Sequence, residues 1–181
     1  MKTFLIFSAN SIYKYIKQQH YNCSVNTITK YIDYLKEAYI VDEIPQYSSK
    51  LKRELAYYGK LYNADVAFNS LRATGNVYDL NHNLENVIYN ELLYMGYDVK
   101  VFNVKNKEID FMCTKDNKLY YVQVAYSVSN QKTFDREIEA FNLLDNQHQK
   151  ILITKDNFDY SSSTVKHIKL KDFLFLDSLD K

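Results

Sequence analysis

Apolar residues near the start of the chain recur at helical spacing and predict two helices joined by a short turn. Ser8 offers an N-cap for the first, in which Ile12, Tyr15 and Ile16 share a face and which ends near residue 20. Ser24 caps the second, which runs to about residue 37 and is expected to bury one stripe: Ile28, Tyr31, Ile32 and Leu35. Two helices with a short turn between them are typical of helix-turn-helix units.

Two runs rich in β-formers follow these helices. Residues 38–44 form the first predicted strand, which Pro45 is expected to stop, and residues 57–62 form the second. Two strands after a helix-turn-helix make a wing, with three basic residues at its tip: Lys50, Lys52 and Arg53. The pattern therefore predicts a winged helix-turn-helix over residues 1–63 and a linker over residues 64–83.

From Leu84 onward the pattern predicts a second domain, over residues 84–181. A helical stripe from Leu84 ends at Gly96, the usual residue after a helix C-terminus. The remaining predicted elements are strands at 98–104, 108–113 and 119–127, a helix from 133 to about 144, strands at 151–153 and 165–168, and a helix at 170–176. The order αβββαβ with later additions resembles the core of the restriction-endonuclease-like fold. The expected fold class is therefore α+β, a winged helix followed by a restriction-endonuclease-like α/β domain with a central mixed sheet.

The second and third of these strands are predicted to form a tight hairpin. Asp116 and Asn117 tolerate the positive φ that favoured two-residue turns require. With these residues at the tip, residues pair when their numbers sum to 233, which places Asp110 opposite Gln123. Ala125 then follows on the same face.

This hairpin resembles the metal-binding core of the PD-(D/E)XK nucleases, in which a carboxylate faces an acid-x-lysine triplet on the next strand. Here the triplet reads Gln123-Val124-Ala125. An amide is a poorer ligand than a carboxylate for Mg²⁺, and the charge-stabilising lysine has become a methyl group. The resemblance implies a third acid from the first core helix, Glu85, with Glu91 as a second candidate. Glu85, Asp110 and Gln123 would form a degenerate catalytic site, in which Glu85 and Asp110 could hold Mg²⁺.

Simpler interpretations remain open for each of these residues. A glutamate in the first turn of a helix is stabilised by the helix dipole, and acids on an edge strand can be ordinary surface charges. Residual hydrolysis would need a cation from elsewhere, for which Lys107, Arg136 and Lys150 are candidates. Arg136 opposes the dipole of its helix, which would be explained by an ion pair with Asp110 or Glu85, or by simple solvation.

Charge is distributed unevenly although the net charge is only +1. Residues 1–60 carry nine Lys/Arg against five Asp/Glu, whereas residues 61–181 carry fourteen against seventeen. This balance permits nucleic-acid contact by the first segment. Candidate DNA contacts are Asn26, Thr27 and Lys30 on the second helix, with Lys50, Lys52 and Arg53 at the wing tip. Many winged helices dock proteins instead.

Cysteine content and hydropathy indicate the compartment. The two cysteines, Cys23 and Cys113, lack metal-like spacing and are expected to be free thiols. No apolar run approaches the length of a membrane span, and the short run at residues 4–7 is too short for a signal sequence. We therefore expect a cytoplasmic protein without membrane contact.

Taken together, residues 26–40, 84–92, 107–111 and 121–126 closely resemble the C-terminal half of prokaryotic AAA-type ATPases. Thr133, Arg136 and Glu137 also match that family's helix motif. The resemblance implies a winged helix and a degenerate PD-(D/E)XK domain of unassigned function, preceded in the family by a P-loop ATPase.

The ATPase itself has no counterpart here. No two of the three glycines have the spacing of G-x-x-x-x-G-K-[ST], so ATP hydrolysis cannot be carried over. The chain is either a fragment or a free-standing relative, with an ATPase domain or another protein as a candidate partner. We predict a non-catalytic module that binds nucleic acid or a partner. The alternatives are a metal-dependent DNA nuclease and a purely structural dimerisation domain.

Overall fold

The computed structural model describes residues 9–48, 53–72, 79–105 and 107–180. Within these ranges the α-helices are Ala9–Gln18 (α1), Val25–Glu37 (α2), Leu80–Tyr94 (α3), Gln131–Glu139 (α4) and Leu170–Phe173 (α5). Short 3-10 helices follow β2 at Val66–Arg72 and follow α4 at Phe141–Leu143. The helix predicted to reach residue 144 therefore ends earlier and continues as a tighter turn.

The strands form one sheet of seven. They are Val41–Ser48 (β1), Arg53–Asn63 (β2), Asp98–Val104 (β3), Lys107–Lys115 (β4), Lys118–Ala125 (β5), Gln149–Thr154 (β6) and Val165–Lys169 (β7). Their order is β2-β1-β3-β4-β5-β6-β7. β1 is parallel to β3, and β6 is parallel to both β5 and β7, whereas the other neighbours are antiparallel. The α+β class and the central mixed sheet are as predicted.

The hairpin predicted as a wing belongs to this sheet. β1 pairs with β3 from Gln46↔Val101 to Ser48↔Asn103, so the first segment is hydrogen-bonded directly to the second. This pairing carries the side chains of β2 toward β4 and α3. The assignments as winged helix and nuclease-like domain, and the boundaries at residues 63 and 84, remain predictions.

Each face of the sheet is covered by its own hydrophobic cluster. The larger cluster includes Ile88 and Leu92 of α3, Phe111 of β4, Val122 of β5 and Phe173 of α5. The cluster on the other face includes Ile109, Tyr121, Leu152 and Phe141, with Phe134 and Ile138 of α4 packed against it. α3 and α4 therefore lie on opposite faces, and the ends of β4 and β5 lie between them.

The stripe predicted to be buried on α2 is largely exposed, so that part of the prediction is wrong. Ile28 is buried at 4% exposure, whereas Tyr31 is 62% exposed and Leu35 is 39% exposed. Tyr15 of α1, placed on the apolar face of that helix, is also exposed. The main contacts of α2 are with α1 and β1, and these two elements cover only part of the apolar face of α2.

Pro45 does not end the first strand. β1 runs through it to Ser48, and the register with β2 shifts there, from Ile44↔Lys60 to Gln46↔Leu55. A bulge tolerates proline because no ladder hydrogen bond from its nitrogen is needed. Gly59 allows the close approach at this point, since a Cβ there would lie 2.7 Å from the carbonyl oxygen of Ile44.

α3 begins one turn earlier than predicted. The Asp79 side chain caps it by accepting hydrogen bonds from the N–H groups of Asn81 and His82. Glu85 consequently lies in the second turn, where the helix dipole contributes little to its placement. The predicted linker contains a 3-10 helix and this first turn of α3, and its residues 73–78 lie outside the described ranges.

Candidate functional site

The β4–β5 hairpin has the predicted register. Its residue pairs run from Lys115↔Lys118 to Phe111↔Val122, and the numbers of each pair sum to 233. The turn residues Asp116 and Asn117 have φ values of 50° and 62°. Local turn chemistry therefore fixes the alignment of the two strands that carry the candidate site.

A β-bulge at Asp110 interrupts the regular alternation of side chains between the two faces of β4. Lys100 pairs with Met112 and Phe102 pairs with Ile109, so Asp110 and Phe111 together oppose the single residue Val101. Bulges reorient side chains at the point where they occur. The Asp110 side chain reaches back toward β5, and its Oδ2 accepts a hydrogen bond of 2.9 Å from the backbone N–H of Val124.

Gln123 lies beside Asp110, as the register predicts. The backbone N–H of Asp110 donates to Gln123 Oε1 at 3.3 Å. Gln123 Nε2 in turn donates to Glu137 Oε2 on α4 at 3.0 Å, and Glu137 is 2% exposed. Both functional atoms of the Gln123 amide are therefore engaged within the protein.

Lys60, on β2, is the cation of this site. Its Nζ lies 2.8 Å from Glu108 Oε1, 3.2 Å from Glu85 Oε2 and 3.5 Å from Asp110 Oδ1. The residue is 8% exposed, so a lysine from the first segment is buried among three carboxylates of the second. Glu108 belongs to β4, Glu85 belongs to α3, and Asp110 lies in the bulge of β4.

Burial and charge set the protonation of this cluster. Burial and the neighbouring Glu85 raise the pKa of Asp110 to about 8, although Lys60 and the Val124 N–H act in the opposite direction. Burial lowers the pKa of Lys60, but the nearby Tyr62 and the three carboxylates outweigh it and hold that pKa well above its ordinary value. Lys60 is therefore charged near neutral pH.

An asparagine contact fixes β2 against α3. The Asn86 side chain is fully buried, and its Oδ1 accepts from the Asn63 N–H at 3.0 Å while its Nδ2 donates to the Asn63 carbonyl at 2.8 Å. The side-chain amide of Asn86 thus forms two hydrogen bonds with the backbone of Asn63, as a neighbouring strand would. Tyr62, one residue earlier on β2, donates to Glu85 Oε2 at 3.2 Å and stacks on Tyr89.

The cations proposed from the sequence lie elsewhere. Arg136 pairs with Glu137 Oε1 at 2.8 Å rather than with Asp110 or Glu85. Lys107 pairs with Glu139 at the surface. Lys150 donates to the Leu144 carbonyl and to Asn146. These three predictions of the missing cation are not fulfilled, because the cation that lies among the carboxylates is Lys60 of β2.

The two predicted Mg²⁺ ligands already have a cation beside them. The ammonium of Lys60 already lies among the carboxylates of Glu85 and Asp110, the two predicted Mg²⁺ ligands. Over the described parts of the chain, no group of three or more His, Cys, Asp or Glu side chains is placed to hold a metal ion. Ala125, at the position predicted to correspond to the nuclease lysine, is buried in the apolar cluster on the α4 side.

The predicted DNA-contacting face is partly described. Asn26 and Lys30 are exposed on α2. Thr27 is half-buried, and both its N–H and its hydroxyl are hydrogen-bonded to the side chain of Ser24, the N-cap of α2. Lys50 and Lys52 lie outside the described residues, as does Ser8, and Arg53 begins β2.

Sequence reasoning missed Lys60 and Glu108. The available signal was a lone lysine inside a β-forming run, two residues before Tyr62 and therefore on the same face of the strand. Glu108 was treated only as a strand charge, although it lies two residues from Asp110. Both cysteines are free thiols, as expected, with Cys113 buried.

None of the helices within the described ranges is long and apolar enough to span a bilayer.

The first segment and part of the predicted linker are similar to a domain found in other proteins. Residues 6–75 match the model of a domain of unknown function (DUF8612). An uncharacterized protein of Haemophilus influenzae is 33% identical over 131 residues, which cover 72% of this chain and 32% of that protein. The uncharacterized protein MJ1544 of Methanocaldococcus jannaschii is 31% identical over 160 residues, covering 82% of this chain and 35% of the relative. The chain spans about a third of the length of these curated relatives.

Proposed function

We propose that this chain is a non-catalytic binding module, related to the C-terminal part of AAA-type ATPases, whose nuclease-like site has been converted into a structural contact. Its ligand is nucleic acid or a partner protein, and the basic first segment favours nucleic acid. The observation that carries the proposal is the position of Lys60 Nζ among Glu85, Glu108 and Asp110.

An internal ammonium changes what the carboxylates can do. A Mg²⁺ ion would have to displace Lys60, which is buried and held by hydrogen bonds or ion pairs to three acids. Mg²⁺ also demands near-octahedral geometry and sheds water reluctantly. The cluster therefore supports a stabilising role that joins β2 to α3 and β4.

The Gln123 amide supports the same role. In a nuclease of this type the corresponding acid would be a metal ligand, whereas here Gln123 bridges the Asp110 backbone and Glu137. An amide can donate and accept at once, which a carboxylate cannot do. The substitution thus suits an internal bridge between β4 and α4.

The relatives are compatible with a module that works within a larger protein. The matched regions make up 32% and 35% of the two curated relatives, which leaves most of each outside the comparison. An ATPase in the unmatched part is a proposal drawn from the sequence resemblance alone.

Cleavage and binding assays test the proposal together. The purified chain is incubated with plasmid and single-stranded DNA in Mg²⁺ or Mn²⁺, and it is titrated with labelled duplex and single strands at two salt concentrations. We expect no cleavage and salt-dependent binding. Cleavage that disappears in Asp110→Ala contradicts the proposal, whereas cleavage that persists in Asp110→Ala reveals a contaminant.

One observation favours a second candidate, a metal-dependent nuclease. Lys60 lies 3.5 Å from Asp110 and could supply the cation that Ala125 lacks. That function requires Glu85, Asp110 and Lys60 all to be needed for cleavage. Loss of cleavage in Lys60→Met, with folding retained, would select it over the binding module.

A further inference from the structure

The α1–α2 hairpin presents four exposed tyrosines on its helices and at the end of α2, besides Tyr21 in the turn between the helices, which is 71% exposed. Tyr15, Tyr31, Tyr34 and Tyr39 are 64%, 62%, 59% and 86% exposed, and we call them the tyrosine surface. α1 has no buried residue, and Ile28 is the buried residue of α2. A wide apolar arc on α2 is therefore only half covered by the described parts of the chain.

The backbone at Tyr39 shows that its exposure is built into the fold. Tyr39 has φ of 54°, its N–H donates to the Lys36 carbonyl, and the next N–H, of Ile40, donates to the Leu35 carbonyl. This is a Schellman motif, in which glycine is the usual left-handed residue. α3 ends in the same motif with Gly96 at φ 83°. α2 instead keeps a tyrosine at a strained position and holds its ring in solvent.

Charge around the tyrosine surface is positive. α1 contains Lys14 and Lys17 and no acidic residue. Lys30 lies one turn before Tyr34 on α2. Of the acids of α2, Asp33 lies about 160° from Tyr31 and about 100° from Tyr34, whereas Glu37 lies one turn after Tyr34, about 60° round the helix at about 100° per residue. The two helices together hold four lysines against two acids, so their net charge is positive.

We infer that the tyrosine surface binds single-stranded nucleic acid by stacking bases on its rings while the lysines contact phosphates. Exposed aromatic rings with positive charge are the chemistry that binds single strands without sequence preference. In a duplex the base faces are already stacked and lie out of reach of a convex helical surface. The bound strand would follow the tyrosine surface of α1 and α2, rather than entering the predicted groove-reading face at Asn26 and Lys30.

Labelled single strands test this inference on the full chain. A fluorescent 20-nucleotide oligothymidine is titrated with the wild type, with the double variant Tyr31→Ala and Tyr34→Ala, and with Tyr94→Ala as a control. Tyr94 is 89% exposed on α3, away from the tyrosine surface. We expect the double variant to bind about tenfold or more weakly, since stacking contributes about 1–3 kcal/mol per base, and the control to bind as the wild type.

Tyr39→Gly separates binding from folding. Glycine suits the left-handed position, so the thermal midpoint should not fall, yet the oligothymidine should bind several-fold more weakly. His20→Gly is its matched control, because His20 ends α1 in the same motif with φ of 63°. That change should leave binding as in the wild type.

Three results would overturn the inference. They are unchanged binding in the double variant, binding of duplex but not of oligothymidine, and a dimer in solution that the tyrosine substitutions dissociate. The inference rests on the proposed function, and the two fail separately. Metal-dependent cleavage lost in Asp110→Ala contradicts the proposed function, whereas duplex binding indifferent to these tyrosines contradicts only the tyrosine surface.

Discussion

At the scale of single residues, Lys60 decides how the cluster behaves. A buried lysine next to a carboxylate is costly to desolvate, and three acids around one ammonium offset that cost. Removal of the ammonium would leave the acids buried without a counter-charge. The site is therefore sensitive to any change that alters this balance.

Lys60→Met should destabilise the chain strongly. Breaking a buried ion pair on one side typically costs about 3–5 kcal/mol, and here Glu85 and Glu108 lose their partner, while Asp110 holds a proton below about pH 8. Urea denaturation measures the loss. Lys107→Met is the matched control, because the Lys107–Glu139 pair is roughly half exposed and should change the free energy of unfolding by about 1 kcal/mol or less. Equal effects of the two substitutions would contradict a structural role for Lys60.

The raised pKa of Asp110 predicts a definite pH dependence of stability. The unfolded carboxyl titrates near 4, whereas the folded one titrates at about 8. Between these values the folded chain holds a proton that the unfolded chain has lost, so this group's contribution to the free energy of unfolding falls as pH rises from about 4 to 8.

Urea denaturation at pH 5, 6, 7 and 8 measures this slope. Asp110→Asn removes the titrating group and should flatten the dependence, leaving the contributions of other groups. Asp65→Asn is a surface control, since Asp65 is exposed at the end of β2. A slope that is the same in the wild type and in Asp110→Asn would show that Asp110 is ionised throughout this range.

At the scale of elements, the contact between β2 and α3 is what carries Lys60 into the cluster. Asn86 fixes the end of β2 through two hydrogen bonds to Asn63, and Gly59 lets β1 and β2 approach closely at the bulge. The α3 helix contributes both Asn86 and Glu85, on adjacent positions. α3 thus binds the end of β2 through Asn86 and forms an ion pair with Lys60 of β2 through Glu85.

Asn86→Ala should cost about 2 kcal/mol of stability, because it leaves the N–H of Asn63 without its buried partner and the Asn63 carbonyl with only the longer hydrogen bond from Asn90. Asn90→Ala is the comparison, since the Asn90 amide also donates to the Asn63 and Ala64 carbonyls but lies nearer the surface. Its effect on the urea midpoint should be clearly smaller. The reverse order would show that the Asn86 contact does not hold β2.

The elements also differ in how well the sequence predicted them. β3 was predicted at 98–104 and found there, and the β4–β5 register follows from two turn residues that favour positive φ. α2 was predicted at the right place but with the wrong burial for Tyr31 and Leu35. Periodicity indicates that a face is apolar, whereas its covering depends on what packs beside it.

At the scale of the whole molecule, the seven-stranded sheet couples the two segments. β1 lies between β2 and β3, and Lys60 spans from the first segment to acids of the second. The segments share both backbone hydrogen bonds and buried charge. We therefore expect them to unfold together.

A single cooperative transition is the expected outcome of urea unfolding. Far-UV circular dichroism reports the backbone, and the fluorescence of the eighteen tyrosines reports packing in a chain without tryptophan. The two midpoints should coincide if unfolding is two-state. An early transition confined to one probe would instead fit two independently folding domains divided at residues 63 and 84.

The sequence by itself determined the features that depend on neighbours along the chain. The hairpin register follows from Asp116 and Asn117. The prediction of a degenerate nuclease-like site rests on Gln123 and Ala125 and stays a prediction. Only the tertiary structure decided that Lys60 is the cation of the cluster, fifty residues from Asp110. That contact depends on parallel pairing of β1 with β3 and on a bulge in β4, and neither leaves a local pattern in the sequence.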